Sequence, residues 1–173
     1  GVDLDYFRCQ QTVTKGGAWR PNEITSFVFI SRMLRKKGVF EFYEAACMLR
    51  NSGILANFSL LRPIPEGDAG VPSATIKKWH EEGVVTYLGV TDDVRKFILA
   101  ADCIVLPTFY REGVPRSLIE AAAMGRPLIA TDVAGCREIV VDNKNGYLCA
   151  PKDANDLASK MQQFVETGIK SKE

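Results

Sequence analysis

Residues 109–138 read FYREGVPRSLIEAAAMGRPLIATDVAGCRE, and the order of breakers, apolar positions and charges in this stretch decides the fold. Gly113 and Pro115 interrupt the chain just before a helical run. Proline suits the first helical position, where a missing N–H costs nothing, and Leu118, Ile119 and Ala122 supply the apolar face that follows. The spacing therefore predicts a helix N-terminus over Gly113 to Ser117. Such an end presents unpaired backbone N–H groups and the positive end of the macrodipole, a place for a phosphate or another anion. Glu112 precedes this end in the loop, and Glu120 lies inside the helix, with seven residues between them. Helical side chains lean back toward the N-terminus, so Glu120 can reach a group held over it. Ionised carboxylates only accept hydrogen bonds, and sugar hydroxyls donate them. Two acceptors flanking an anion site suit a ligand with phosphates in its middle and hydroxyl-rich rings at both ends, as in a nucleotide sugar.

Outward from this stretch, short apolar runs alternate with helical patterns. Ser26 to Ile30 reads as a buried parallel strand, followed by a basic loop from Ser31 to Gly38 and a helix from Val39 that the Asn51-Ser52-Gly53 cluster ends. A second strand near Asn57 to Leu61 leads through a Pro/Gly-rich loop to a helix over about Ser73 to Glu82. Val84 to Tyr87 is a third strand, and Asp92 or Asp93 caps a short helix reaching Ala101. Cys103 to Leu106, Leu128 to Ala130 and Gly146 to Cys149 read as three further strands. Gly135 to Val140 forms a short helix, and Asp153 caps a last one that turns Leu157, Met161 and Phe164 inward. This alternation predicts an α/β fold: a doubly wound, Rossmann-like parallel sheet of about six strands with right-handed crossovers. Residues 1–23, with Gly16, Gly17 and Pro21 and little periodicity, read as a linker or edge segment, and residues 24–173 as one domain.

At 173 residues the chain is long enough to bury a substantial core. A net charge of +1, from 22 basic and 21 acidic residues, gives no electrostatic case for nucleic acid. Five dispersed cysteines without a C-x-x-C pair read as reduced, buried thiols of a cytosolic protein. No apolar run reaches the roughly 18–20 residues that span a bilayer. His80, the single histidine, sits on a polar helix face and reads as solvated, which leaves a Ser-His-Asp or His-metal mechanism little support.

Several segments together carry a family resemblance: EGVPRSLIE, the following AAAMGRPLIATDVAGCREIV, and NGYLCAPKD. They resemble the E-x7-E region of retaining GT-B glycosyltransferases of the family-four (group 1) type. The likeness covers nearly the whole chain but only the C-terminal, donor-binding half of such an enzyme, with the N-terminal acceptor domain absent. The wording is most similar to enzymes that extend capsule, O-antigen or lipid-linked polysaccharide.

The resemblance implies transfer of a sugar from a nucleotide donor, with UDP the expected nucleotide and a hexose or N-acetylhexosamine the sugar. It assigns Glu120 to the ribose hydroxyls and Glu112, as the catalytic group, to the hexose near its reacting carbon. Arg32 and Lys37 take the diphosphate, where a fixed cation stabilises the leaving group's charge. Gly113, Val114 and Pro115 line the sugar, backbone N–H groups around Arg116, Ser117 and Leu118 hold phosphate, and Val90 lies where the nucleobase contacts the chain. A solvated basic loop, ordinary acids at a helix start and a turn at Gly89 account for the same residues without function. Ser31 and Arg62 depart from the family pattern, which carries glycine at both places. No cofactor or bound metal is expected, because Arg32, Lys37 and the helix N-terminus neutralise the phosphates. The expected partners are a UDP-sugar, the acceptor domain and a saccharide or lipid-linked acceptor, at the inner face of the membrane in the full-length enzyme. The alternatives are a GT-B nucleotide-sugar epimerase and a non-catalytic flavodoxin-like or receiver-like binding module.

Overall fold

The computed structural model describes residues 2–3, 5–7 and 24–168. Six strands are named: β1 (Thr25–Ile30), β2 (Ala56–Leu61), β3 (Thr86–Tyr87), β4 (Cys103–Leu106), β5 (Leu128–Thr131) and β6 (Gly146–Cys149). The helices are α1 (Val39–Asn51), α2 (Ser73–Glu81), α3 (Arg95–Ala100), α4 (Arg116–Ala123), α5 (Ala134–Arg137) and α6 (Ala154–Thr167). The sheet order is β3-β2-β1-β4-β5-β6, and every neighbouring pair is parallel. From β1 the chain winds outward to β3, then returns to β4 and winds the other way. Right-handed crossovers then put α1 and α4 on opposite faces, and the carboxyl ends of β1 and β4 form the switch point at which such sheets hold ligands.

Burial follows the apolar runs. Phe27, Phe29, Ile104, Val105, Leu128 and Ile129 are all fully buried, as strands covered on both faces require. Phe27 stacks on Phe58 at 5.7 Å between ring centres and meets Phe164 of α6 edge-on at 5.8 Å. Leu157, Met161 and Phe164 turn inward as expected, and the Asp153 carboxylate caps α6 by accepting from the Asp156 N–H at 2.9 Å.

Three sequence expectations change, and one open choice is decided. The third strand keeps only Thr86 and Tyr87. Asp93, not Asp92, holds the start of α3, accepting from the Arg95 N–H at 3.0 Å and from its guanidinium at 2.8 Å. That pairing keeps the Asp93 carboxyl well below its usual range. His80 is exposed, yet its Nδ1 accepts from the Tyr87 N–H at 3.0 Å, so it has a structural bond and not only solvent. The buried stripe of α4 is Leu118, Glu120 and Ala121 in place of Leu118, Ile119 and Ala122. Of the segment expected as a linker, residues 8–23 lie outside the described residues. Phe7 is buried in the core, and the Tyr6 ring lies 3.7 Å from the Arg95 guanidinium.

Candidate functional site

The chain leaves β1 through Ser31 and Arg32, passes a 3-10 turn at Arg35–Lys37 and reverses at Gly38 with φ +82°. A Cβ there would stand 2.1 Å from the Pro107 carbonyl oxygen, so glycine alone lets this loop press against the end of β4. The contact is fixed further by Phe109 N–H and Thr108 Oγ1, which donate to the Lys36 carbonyl at 3.0 and 3.2 Å. Two loops distant in sequence are thereby locked together. The result brings the Lys37 ammonium into a hydrogen-bonded ion pair with Glu112 Oε1, while Thr108 Oγ1 lies 3.5 Å from the same oxygen. Lys37 and Glu112 side chains retain 13% and 24% of their exposure, so the pair is shielded and worth more than a surface contact.

On the next side of the switch point, Pro115 stands just outside α4, with extended backbone, instead of at its first helical position. Its carbonyl accepts from Leu118 N–H at 3.1 Å and Ile119 N–H at 3.3 Å. The Leu118 amide is therefore committed within the helix and its side chain is in the core, against the expectation that it faces phosphate. Among the described residues no acceptor takes the N–H groups of Arg116 or Ser117. Glu120 is 1% exposed. Its Oε1 accepts from Arg116 Nε at 2.9 Å, whereas the buried Oε2 has no hydrogen-bond partner. Buried acceptors are nearly always satisfied, and Glu120 is a lining residue of the cavity, which sets this carboxylate apart from the other acids of the site.

The cavity between these elements measures about 360 Å³, within the size range of small-molecule sites. Its charged lining is Arg32, Lys37, Arg62, Arg116, Glu112 and Glu120, and Ser31, Pro115 and Ser117 also face it. Val90, Gly113, Val114 and Leu118 do not line it, and Val90 is 65% exposed to one side. Missed at the sequence level are the supports: Thr131 Oγ1 donates to the Thr108 carbonyl, and Gly135 would bring a Cβ within 2.5 Å of the Gly113 carbonyl oxygen. Arg62 was legible only as a departure from a glycine pattern. Burial pushes the thiol of Cys136, beside this loop, upward, and Glu112 adds to the push while the Thr131 hydroxyl and Lys37 oppose it. Cys136 is thus a neutral packing residue. Asp132 and Arg137 form an exposed ion pair at 3.0 Å away from the cavity.

Residues 25–167 match the family described as Glycosyl transferases group 1. The chain belongs to this family. A relative from Campylobacter jejuni, N,N'-diacetylbacillosaminyl-diphospho-undecaprenol alpha-1,3-N-acetylgalactosaminyltransferase, is 36% identical over 80% of the chain and is itself covered over 35% of its length. The chain thus spans about a third of that relative. TarM of S. aureus, in a crystal structure that contains UDP, is 27% identical with a TM-score of 0.72 over 86% of this chain and 30% of that one. The C-terminal domain of the Francisella tularensis group 1 protein LpcC is similar in fold, with a TM-score of 0.70, 24% identity, and coverage of 96% of this chain and 88% of that one. The group 1 assignment confirms the family resemblance and the Rossmann-like sheet. Within the described residues of this group 1 chain no helix is long and apolar enough to cross a membrane.

Proposed function

We propose that this chain is the donor-nucleotide half of a retaining glycosyltransferase that takes a UDP-hexose or UDP-N-acetylhexosamine and delivers the sugar to a saccharide or lipid-linked acceptor. The observation that carries the reading is the buried, unpartnered Oε2 of Glu120 at the wall of a cation-lined cavity in a group 1 chain. Glu120 accepts from the ribose hydroxyls. Arg32, Lys37 and the free N–H groups of Arg116 and Ser117 hold the diphosphate, and the α4 dipole adds to their field. Charge on the leaving UDP grows as the glycosidic bond breaks, so fixed cations bind it more tightly in the transition state than in the ground state. This arrangement neutralises the phosphates without a bound metal.

Glu112 stands between Lys37 and the loop Gly113–Val114, placed to meet the hexose hydroxyls near the reacting carbon. Lys37 holds its carboxylate in position until the donor arrives. The acceptor domain, approaching from the carboxyl edge of the sheet, completes the site. The chain alone binds nucleotide and transfers little sugar. The UDP-containing TarM complex supports the choice of nucleotide, and the lipid-linked acceptor named for the Campylobacter relative supports the acceptor class. Calorimetric titration with UDP, GDP and ADP, repeated on Glu120→Ala and Lys37→Ala, tests the reading. One nucleotide binding, with both variants weakened, is the expected result; equal binding by all three proteins overturns the residue assignments.

A further inference from the structure

Arg62 directly follows β2 with φ +122°, a region that only glycine enters without strain. Two bonds hold it there. Its N–H donates to the Gly89 carbonyl at 2.9 Å, and its own carbonyl accepts from the Tyr87 hydroxyl at 3.0 Å. The backbone at this point is therefore fixed from both sides by the neighbouring strand and its exit loop, in a shape unsuited to the residue that occupies it. Strain of this kind persists only where the surroundings impose it, and it clusters at ligand clamps and active sites.

The charges of the cavity show what that is. Lys37 is paired with Glu112, and Arg116 with Glu120. Among the described residues no carboxylate pairs with Arg32 or Arg62. These two arginines stand at the carboxyl ends of adjacent strands, β1 and β2, which run in register with Ile30 beside Leu61. The cavity lining thus includes two guanidinium groups that no described carboxylate pairs with, matched in number to the charges of a doubly anionic diphosphate. A guanidinium presents a planar fork of donors that grips phosphate oxygens in pairs.

Resting on the donor-site reading above, we infer that Arg62 is a diphosphate-binding residue, forming with Arg32 a two-arginine clamp for the pyrophosphate of the donor. Lys37, which faces the same cavity, adds its ammonium at the diphosphate while its bond to Glu112 reaches toward the sugar end.

Arg62→Gly separates the side chain from the backbone, because glycine relieves the strained φ while removing the cation. The expected result is a thermal midpoint equal to or above that of the unaltered chain, together with UDP affinity at least tenfold weaker, the size of a lost charge-assisted hydrogen bond. Inorganic pyrophosphate, titrated as a competitor of UDP, is expected to weaken in parallel. Unchanged UDP affinity in Arg62→Gly overturns the clamp and leaves the donor-site reading standing. Weaker UDP binding with unchanged pyrophosphate competition also overturns it, since the contact is then to the base, and so does a lowered thermal midpoint, which makes the residue structural. Absence of UDP binding by the unaltered chain falls on the donor-site reading and takes the clamp with it.

Discussion

Glu120→Met is expected to raise the stability of the unliganded chain and to cut its response to UDP by about half or more. Methionine fills nearly the same volume and carries no acceptor, so the orphaned Oε2 disappears. A buried acceptor without a donor costs about 1–3 kcal/mol. The Arg116 side chain, 72% exposed, returns to solvent, and its i,i+4 pair with Glu120 is worth only about 0.3–0.5 kcal/mol. The net gain is about 1–2 kcal/mol, or roughly 2–8 °C in thermal midpoint for a chain of this size. UDP at a hundred times its dissociation constant stabilises the unaltered chain by about 2.7 kcal/mol, a rise of roughly 5–11 °C. Loss of one charge-assisted bond to the ribose weakens binding by roughly ten- to a hundredfold, so the rise in Glu120→Met falls to about half or less at the same UDP concentration. Thermal unfolding followed by circular dichroism, with and without UDP, reads both quantities. A variant that melts lower and keeps the full UDP-induced rise refutes the reasoning, because the carboxylate is then part of the fold and not of the site.

Three further outcomes are expected. Gly135→Ala places a Cβ 2.5 Å from the Gly113 carbonyl oxygen and 3.0 Å from that of Glu112, so the chain loses about 1–3 kcal/mol in urea unfolding and UDP-sugar affinity falls more than UDP affinity, because Glu112 shifts. Gly38→Ala meets both a positive φ and the Pro107 carbonyl, and a loss of about 3 kcal/mol or more is expected in the same assay. Burial pushes the Cys149 thiol up to about 12 from its ordinary 9.0, so the unfolded chain releases this proton first as pH rises. The associated stability is intact below pH 9.0 and is lost on approaching 12, at up to about 1.4 kcal/mol per pH unit. Urea midpoints measured from pH 8 to 11 are expected to fall less steeply in Cys149→Ala, and parallel profiles count against the assignment.

The sheet was legible because several of its strands carry short apolar runs closed by a turn signal, as in Cys103–Leu106 and Gly146–Cys149. The Asp153 cap was equally plain, since capping is local chemistry. The third strand was overextended because Val84 and Val85 have strand-like chemistry, while pairing with β2 reaches only Thr86 and Tyr87. Arg32, Lys37, Glu112 and Glu120 were singled out from charge, spacing and resemblance, and the fold brings all four to the wall of one cavity. Long-range contacts were hidden: Lys37 bonded to Glu112 across 75 positions, Gly38 wedged under Pro107, and Gly135 beneath Gly113. The Leu118 amide could not be judged without knowing where α4 begins, because a shift of one residue at Pro115 decides which N–H groups stay free.

The bond from Tyr87 N–H to His80 has a consequence for the chain in concentrated solution. β3 is an outer strand of the sheet, and outer strands with bare N–H groups recruit strands of other molecules. Here the strand is two residues long, and one of its donors is already occupied by an imidazole from the helix that precedes it. A second molecule arriving at this margin finds too little backbone to pair with, and the sheet stops growing where its own chain ends it.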